Sequence, residues 1–557
     1  MADVITYPHF EPHFPRKMWV LPKILEKHAA ERGGKPFLQW TDEGRALSYD
    51  EVNRLVNRMA RGLRALGVRH GDRVIIYKPN SLDYVLSWFA ISKLGAAHVT
   101  IGEPQKGAFL EHQVNLSGAR LMIAGTGLLD RVAEIEADIP KLEHVVIWTD
   151  PESPAASPAF KRLRTSRYEE LAASSDESNL GVEISEKDLG AVLYTSGTTG
   201  PTKAVSMPHS QFYFSAEENC QLVSLKEDDV YITAFPFFHG NAQFLTIYPT
   251  LIVGAKVVMY RKFSASDWLG RVRRSGCTVL NLLGATMAFI LAQPASADDK
   301  NHKLTRIWGA PTPPILSKDF AARFGVSDFR EGFGQTEVSL PLMTPPGQKA
   351  PGSCGVAVSQ YFDVRLVDPE TDEDVPAGVV GELILRHKQP GIICAGYLGM
   401  PEKTVDSWRD LWFRTGDGLK RDEQGWFYFI DRMKDTLRRR GENISSYEVE
   451  AVILRHPSVD DCGVVAGKSD EEGGEDEVLA CVVVKPGESL TPEELMEWCE
   501  ARMPYFAVPR FVRFMEVLPK TPSEKVQKIK LRNEGVTADT WDRVNAGFKL
   551  KEEGRKR

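Results

Sequence analysis

The chain has little cysteine and no arrangement of it that could staple a fold. Cys220, Cys277, Cys354, Cys394, Cys462, Cys481 and Cys499 are scattered and odd in number, and no Cys-x-x-Cys pair occurs. This speaks against a disulfide framework or a structural zinc site and for a reducing compartment, so a cytoplasmic setting is expected. An apolar leader is missing as well. Met1 to Lys17 carries acids, histidines and prolines without a hydrophobic core segment, so no signal peptide is expected. No clean apolar 20-mer exists. Asn241 to Tyr260 comes nearest, but it holds Asn241, Gln243, Pro249, Gly254 and Lys256 and reads as buried core, not as a membrane span. The sequons at Asn115 and Asn443 are then chance matches. Positive charge is not in excess: 69 Lys and Arg stand against 76 Asp and Glu, a net charge of −7. A general nucleic-acid surface is excluded, while a local basic pocket for an anion is not. No period of 20–50 residues recurs, which excludes a solenoid.

What is present is a large globular chain. At 557 residues it is too long for one compact core. With 42% hydrophobic and 26% charged residues it is not disordered. The first 140 residues alternate helix and strand signals. Tyr49 to Leu66 reads as an amphipathic helix, Val74 to Tyr77 as a strand, Leu82 to Leu94 as a helix and Ala97 to Ile101 as a strand. Leu121 to Ala124 and Val145 to Trp148 are further short apolar runs. This spacing gives βαβ units and a parallel sheet. Asp150 to Leu180 reads as a surface loop with one short helix. A second βαβ pattern follows, with strands at Ala191–Tyr194, Val230–Ala234, Lys256–Met259 and Thr278–Leu282. Gly352 to Tyr397 has short runs such as Val364–Leu366 and Gly381–Leu385 between turn residues, which suggests an antiparallel or barrel-like piece. Beyond Asp431 a basic stretch leads into another α/β pattern.

The sharpest local feature is Tyr194-Thr-Ser-Gly-Thr-Thr-Gly-Pro-Thr-Lys203. A strand runs into hydroxyl residues, two glycines and a lysine. Glycines let backbone N–H groups approach an anion, hydroxyls add donors and the lysine adds charge, so the loop is suited to nucleotide phosphates. It does not fit G-x-x-x-x-G-K-[ST], because Ala204 follows Lys203. Gly125-Thr-Gly127 lacks the third glycine of a dinucleotide fingerprint and reads as an ordinary turn.

The loop resembles the Tyr-Thr-Ser-Gly-Thr-Thr-Gly-x-Pro-Lys-Gly signature of the adenylate-forming superfamily, which holds acyl-CoA synthetases, nonribosomal adenylation domains and firefly luciferase. Four more stretches match in order: Gly334-Gln-Thr-Glu337, Arg414-Thr-Gly-Asp417, Asp431-Arg-Met-Lys-Asp435 with Arg440-Gly-Glu-Asn-Ile444, and Pro522-Ser-Glu-Lys525. The resemblance spans about residues 20 to 535. Phe238-His-Gly-Asn-Ala-Gln243 and Gly441-Glu-Asn443 look most like acyl-CoA ligases near the crotonobetaine/carnitine-CoA ligases. Three departures stand out. Ala204 replaces a glycine, Pro-Thr replaces x-Pro before Lys203, and Glu524 replaces the glycine before Lys525, which leaves Lys528 as an alternative catalytic lysine.

The resemblance implies an α/β fold: an adenylation domain over 1–432, made of two βαβ subdomains and a β-barrel-like piece, and a small mobile α/β domain over 433–557. It implies ATP, Mg²⁺ and coenzyme A as co-substrates or cofactor, a carboxylic acid as substrate, and a monomer or homodimer. Thr195, Ser196, Gly197, Thr198, Thr199, Gly200 and Lys203 would cradle phosphates. Gly309, Ala310, Pro311, Phe333 and Gly334 would flank adenine. Thr336 would hold the α-phosphate, and Glu337 would bind the metal, since a hard cation takes carboxylate oxygen. Asp417 would accept from both ribose hydroxyls, with Arg432 on the ribose or phosphate side. Lys525 would bridge the carboxylate and α-phosphate, and His239 would wall the acyl pocket from the pantetheine channel. Lys434 would be the hinge, and Arg440 with Gly441 would line the channel to CoA.

The expected reaction is ATP-dependent ligation of an acid to CoA. No cysteine lies in a basic or histidine context, so the acceptor thiol is expected from outside. Alternatives are an adenylation enzyme that serves a separate carrier protein, a luciferase-like oxygenase and a non-catalytic sensor. The retained Lys203, Glu337, Asp417 and Lys525 argue against the sensor. The stretches Phe238–Phe244, Leu283–Met287 and Gly309–Pro311 are expected to line the acyl pocket. They mix apolar and small residues, which favours an apolar or aromatic acid. The carnitine-type resemblance would instead imply a quaternary ammonium acid.

Overall fold

The computed structural model describes residues 4–41, 44–154, 158–195, 202–309, 312, 314–433, 437–439, 442–444, 446–468, 477–503, 507–521 and 526–550. The expected α/β architecture is observed. A seven-stranded sheet runs, edge to edge, through Arg164–Arg167, His144–Trp148, Leu121–Gly125, Arg73–Tyr77, Ala97–Thr100, Leu189–Thr195 and Lys203–Pro208. It is parallel except for its last pair, which is antiparallel with Thr195 opposite Lys203. The phosphate-loop motif is therefore the connection of an antiparallel pair.

A nine-stranded sheet is parallel from Pro36–Trp40 through Lys256–Met259, Val230–Thr233, Val279–Asn281 and Arg306–Gly309 to Asp328–Gln335. Antiparallel strands close both of its ends. The helices between the two sheets are buried on nearly every side. Leu82–Lys93 is buried at every position but Asp83, and the hydroxyl of Ser81 caps it by accepting from the Tyr84 N–H at 3.2 Å. Tyr49–Ala65 starts at a capping box in which Ser48 and Glu51 satisfy each other's backbone N–H groups. One continuous core joins the sheets through Ile76, Leu193, Phe212, Tyr248 and Val257.

The direction of winding reverses at Val230–Thr233. The chain leaves it through the helical segment 240–253, whose Phe244 and Tyr248 pack into the shared core, and reaches Lys256–Met259 on one side. It then returns through helix Trp268–Ser275 on the opposite face to Val279–Asn281 on the other side. Such reversals open a crevice at the carboxyl ends of the strands, where open α/β sheets bind ligands.

A third, antiparallel sheet comprises Phe362–Val367, Gly381–His387, Trp412–Arg421, Trp408–Arg409 and Phe427–Arg432. It is the barrel-like piece and extends well past Tyr397. The C-terminal unit holds a four-stranded sheet with a core of its own around Val464, Ala480, Leu495 and Val512.

Two local expectations differ from the structure. Residues 150–180 are not only loop: Arg164–Arg167 forms an edge strand, followed by a 3₁₀ turn at Tyr168–Ala172. All four side chains of that strand are polar, so no hydrophobic alternation announced it. The apolar stretch after Asn241 is buried as expected, but a π-helical turn at Gln243–Ile247 interrupts its helix. The seven cysteines are free and buried, and no described helix is long and apolar enough to cross a membrane.

Candidate active site

The motif residues approach one another because their strands end on the same side. Thr195 ends the strand Leu189–Thr195, and Lys203 opens the next. Thr336 and Glu337 leave the carboxyl end of Asp328–Gln335, while Asp417 lies in Trp412–Arg421 of the third sheet. The segment 394–398 ties these pieces together. Ser206 N–H donates to Gly396 C=O and Ala395 N–H to Ser206 C=O, both at 2.9 Å. Leu398 N–H donates to Ala204 C=O, and Cys394 N–H to Glu337 C=O, both at 2.8 Å.

That segment presents Tyr397, which no motif indicated. Its phenol donates to Glu337 Oε1 at 2.9 Å and accepts from Lys203 Nζ at 3.2 Å. The ammonium also lies over the Tyr397 ring, 4.5 Å from its centre. Tyr397 and Glu337 are only 7% and 8% exposed, so these contacts act in a medium that screens charge weakly. Burial, and then the neighbouring Glu337 carboxylate, push the phenol pKa up, so Tyr397 stays a neutral donor. A cation, a phenol and a carboxylate form one connected array.

The loop bearing Thr336 and Glu337 is fixed from behind by helix His209–Leu222. Gln211 Nε2 donates to the carbonyls of Thr336 and Glu337 at 2.8 and 3.2 Å. Ser215 and Ser339 share a hydroxyl hydrogen bond of 2.7 Å, and Glu218 Oε2 accepts from Leu340 N–H at 2.9 Å. Positions 211, 215 and 218 share one helix face. They hold Ser339 in the left-handed region, φ 64°, where a non-glycine residue is rare. Glu218 is fully buried, and that burial raises its pKa well above the carboxylate range, so it is neutral.

Asp417 is 2% exposed. Gln335, from the Gly-x-Thr-Glu motif itself, bridges to it, donating to Asp417 Oδ2 at 2.6 Å and to Thr415 C=O at 2.9 Å. Thr415 in turn donates to Leu383 C=O, and Arg414 pairs with Glu382, so a rigid sheet carries the aspartate. Arg432 is the strand partner of Asp417. Gly334 has no room for a Cβ, which would collide with Ser339 C=O. Phe333 packs with Leu342, Leu419 and Phe427, its ring 6.4 Å from that of Phe429. Gly309 lies in register with Glu331, and a Cβ there would collide with the Thr312 hydroxyl. Glu331, next to this glycine, accepts from Thr312 N–H at 3.3 Å, and burial pushes its pKa up to about 8. His239 caps the following helical turn, its Nδ1 accepting from Asn241 N–H at 3.4 Å.

Ser196, Gly197, Thr198, Thr199, Gly200, Ala310, Pro311, Lys434, Arg440, Gly441 and Lys525 lie outside the described residues, as does the Arg432 side chain. Lys528 is described. Its ammonium donates to the Ser446 hydroxyl and pairs with Glu450 at 3.0 Å.

Residues 25–398 match the AMP-binding enzyme model, and residues 448–525 match the AMP-binding enzyme C-terminal domain. The chain belongs to the AMP-binding enzyme family. Among curated relatives, a crotonobetaine/carnitine–CoA ligase of Escherichia coli O157:H7 is 30% identical over 494 residues, covering 87% of this chain and 93% of the relative. One from Citrobacter koseri is 30% identical over 503 residues, covering 88% and 93%. Among solved structures, the anthranilate CoA ligase AuaEII in complex with anthranoyl-AMP superposes with a TM-score of 0.82 at 26% identity, covering 93% of this chain and 98% of that one. ATP-bound MatB from Rhodopseudomonas palustris has a TM-score of 0.79 at 24% identity, covering 92% and 98%, and shares the fold.

Proposed function

We propose that the chain is an AMP-forming acid:CoA ligase. It joins a carboxylic acid to ATP with release of pyrophosphate, then passes the acyl group to CoA with release of AMP. The observation that carries this reading is the connected Lys203–Tyr397–Glu337 array, set next to Thr336 and linked through Gln335 to Asp417. The names of the relatives agree with it: crotonobetaine/carnitine–CoA ligase and anthranilate CoA ligase.

In the first step a carboxylate oxygen attacks the α-phosphorus, and the bond to the pyrophosphate oxygen breaks. Two anions must meet, so the protein must offset charge. Lys203 provides a cation whose position Tyr397 sets, and Thr195 to Gly200 provide donors for the phosphates. Thr336 orients the α-phosphate. Glu337 is a single shielded carboxylate, which suits Mg²⁺, an ion that completes its shell with phosphate oxygens and water. When bound, the ion draws charge from the phosphates. Asp417 has two carboxylate oxygens to offer a vicinal diol, with Arg432 beside it. Gly309, Ala310, Pro311, Phe333 and Gly334 form the adenine side, where glycine lets flat groups approach the backbone.

In the second step the CoA sulfur attacks the acyl carbon, the thiol proton leaves, and the carbon–oxygen bond to AMP breaks. The small domain 433–557 rotates against the domain 1–432 between the steps, about Lys434. The move withdraws Lys525 and brings Arg440 and Gly441 to the channel beside His239. Lys525 is favoured over Lys528 as the catalytic lysine, because the latter is engaged by Ser446 and Glu450 inside the C-terminal unit. A cytoplasmic setting fits seven buried thiols.

The test is pyrophosphate release from Mg-ATP with a panel of carboxylic acids, with and without CoA. Release stimulated by CoA for one acid class, lost in Lys525→Ala, is the expected result. Release indifferent to CoA would point to a carrier protein as acceptor, and none from any acid would overturn the reading.

A further inference from the structure

Between the strand Val230–Thr233 and the helical turn at Gly240–Ala242 the chain passes through Phe235, Pro236, Phe237, Phe238 and His239 without strand or helix. Backbone groups in such a stretch need partners outside any ladder. Here they are met by side chains of other segments. Asn80 Nδ2 donates to Phe235 C=O at 2.9 Å, and Asn80 Oδ1 accepts from Phe237 N–H at 2.7 Å. Gln243 Nε2 donates to Phe237 C=O at 2.6 Å, and Thr100 Oγ1 donates to Phe238 C=O at 2.9 Å. His239 N–H turns back to Pro236 C=O at 3.0 Å.

Each peptide unit is a rigid plane, so fixing its C=O or its N–H fixes how the plane is turned. Asn80 holds the planes 235–236 and 236–237, Gln243 holds 237–238, and Thr100 holds 238–239. The four planes are held in succession, and with them the directions in which the Phe238 and His239 side chains leave the backbone. Asn80, Thr100 and Gln243 are 5%, 2% and 0% exposed, so water does not compete for these bonds.

Two of the three holders belong to the other sheet. Asn80 follows the strand Arg73–Tyr77, and Thr100 ends the strand Ala97–Thr100, both in the seven-stranded sheet. Asn80 Nδ2 also donates to Arg261 C=O at 3.3 Å, just past Lys256–Met259, so one carboxamide grips the carboxyl ends of two neighbouring strands of the nine-stranded sheet. His98 is two residues before Thr100 and so on the same face of its strand. Its Nε2 lies 2.8 Å from Gln243 Oε1. A Cβ on Gly102, two residues past Thr100, would stand 3.0 Å from the Phe238 ring, so that ring rests on the backbone there. The loop belongs to the second sheet by its chain and to the first by its bonds.

The nucleotide end of the crevice is fastened separately. Gln211, Ser215 and Glu218 hold the loop 336–340, and Tyr397 joins Lys203 to Glu337. None of these bonds passes through Asn80 or Thr100, so the two ends are open to disturbance one at a time.

We propose that Asn80 and Thr100 are positioning residues for the acyl end of the site. From the first sheet they fix the peptide planes that carry Phe238 and His239, and so set the wall between the acid and the incoming thiol. The inference rests on the ligase reading above and on the place of His239 in it. Neither residue meets a substrate. Each acts through the backbone of residues 235–239.

The experiment compares Thr100→Val, which keeps the shape and removes the donor, with Thr100→Ser, which restores the donor. KM and kcat are measured for Mg-ATP, for CoA and for whichever alkyl acid, aryl acid or carnitine the wild type turns over fastest. Amide hydrogen exchange is followed in segments 235–242 and 336–343. Thr100→Val is expected to raise the KM for the acid and for CoA by about tenfold, the effect of one lost buried hydrogen bond. The KM for Mg-ATP should stay within about twofold of the wild type, and exchange should quicken in 235–242 alone. Thr100→Ser should recover the wild-type constants to within about threefold. Asn80→Ala, on the neighbouring strand, should show the same split between the acid and Mg-ATP. KM values for acid and CoA that stay unchanged while exchange quickens would overturn the inference. So would a KM for Mg-ATP that rises in step, or a serine variant no better than valine. All three would leave the ligase reading intact. Pyrophosphate from no acid with the wild type would overturn the ligase reading and this role with it.

Discussion

Replacing Tyr397 with phenylalanine separates the two things its side chain does. The ring stays, and with it the face on which Lys203 rests, a contact of about 0.5–2 kcal/mol. What is lost is one hydroxyl that donates to Glu337 and accepts from Lys203. A hydrogen bond to a charged partner contributes about 1.5–3 kcal/mol, and Glu337 is too shielded for bulk water to replace it fully. If the array orders the lysine and the carboxylate for Mg-ATP, most of that energy is felt in adenylation, as a 10- to 100-fold fall at about 1.4 kcal/mol per decade. The assay is ATP–pyrophosphate exchange titrated with free Mg²⁺, beside single-turnover thioester formation from preformed acyl-adenylate. Exchange should fall by that factor and the Mg²⁺ midpoint should rise, while thioester formation changes by less than about threefold. An unchanged Mg²⁺ midpoint with exchange within about twofold of wild type would show that the array is packing alone. So would an equal fall in both half-reactions.

Gln211→Leu removes the donor to two buried carbonyls behind Glu337. It is expected to lower stability by about 1–3 kcal/mol and to raise the KM for Mg-ATP, and thermal melts with steady-state kinetics would show both. Glu331 is held protonated by burial, with its pKa pushed up to about 8. The folded protein therefore keeps a proton that the unfolded chain releases near pH 4.5, and stability declines as pH rises from there through about 8. Glu331→Gln should flatten this decline and raise the melting temperature at pH 9 but not at pH 5, the gain being at most about 5 kcal/mol. Lys434→Pro, by fixing φ at the proposed hinge, should impair thioester formation more than adenylation, and equal losses in single-turnover assays would refute the hinge.

The legible part of the site was local in sequence. Lys203 stands in a loop whose glycines, hydroxyls and lysine by themselves suit an anion, whereas Glu337 and Asp417 were reached through the family resemblance of their short motifs. Strands such as Lys256–Met259 were legible for the same reason, since burial on both faces leaves an unbroken apolar run. Helix His209–Leu222 was not. It is buried almost throughout and carries Gln211, Ser215, Glu217 and Glu218 inward, so its polar residues contradict the rule that sets polar faces toward water. Its meaning exists only against the loop 336–340, more than 120 residues away.

Tyr397 shows why such residues escape. Its neighbours Gly396 and Gly399 have φ of 110° and 67°, so the sequence Gly-Tyr-Leu-Gly reads as a turn with an incidental aromatic. The segment is useful because it is irregular. It pairs with the exposed edge of Lys203–Pro208, which a regular strand would have extended, and it reaches Glu337 with its first N–H and its phenol together. Motifs supply the groups proposed to meet the nucleotide. Irregular backbone, which leaves no periodicity, fixes where those groups stand.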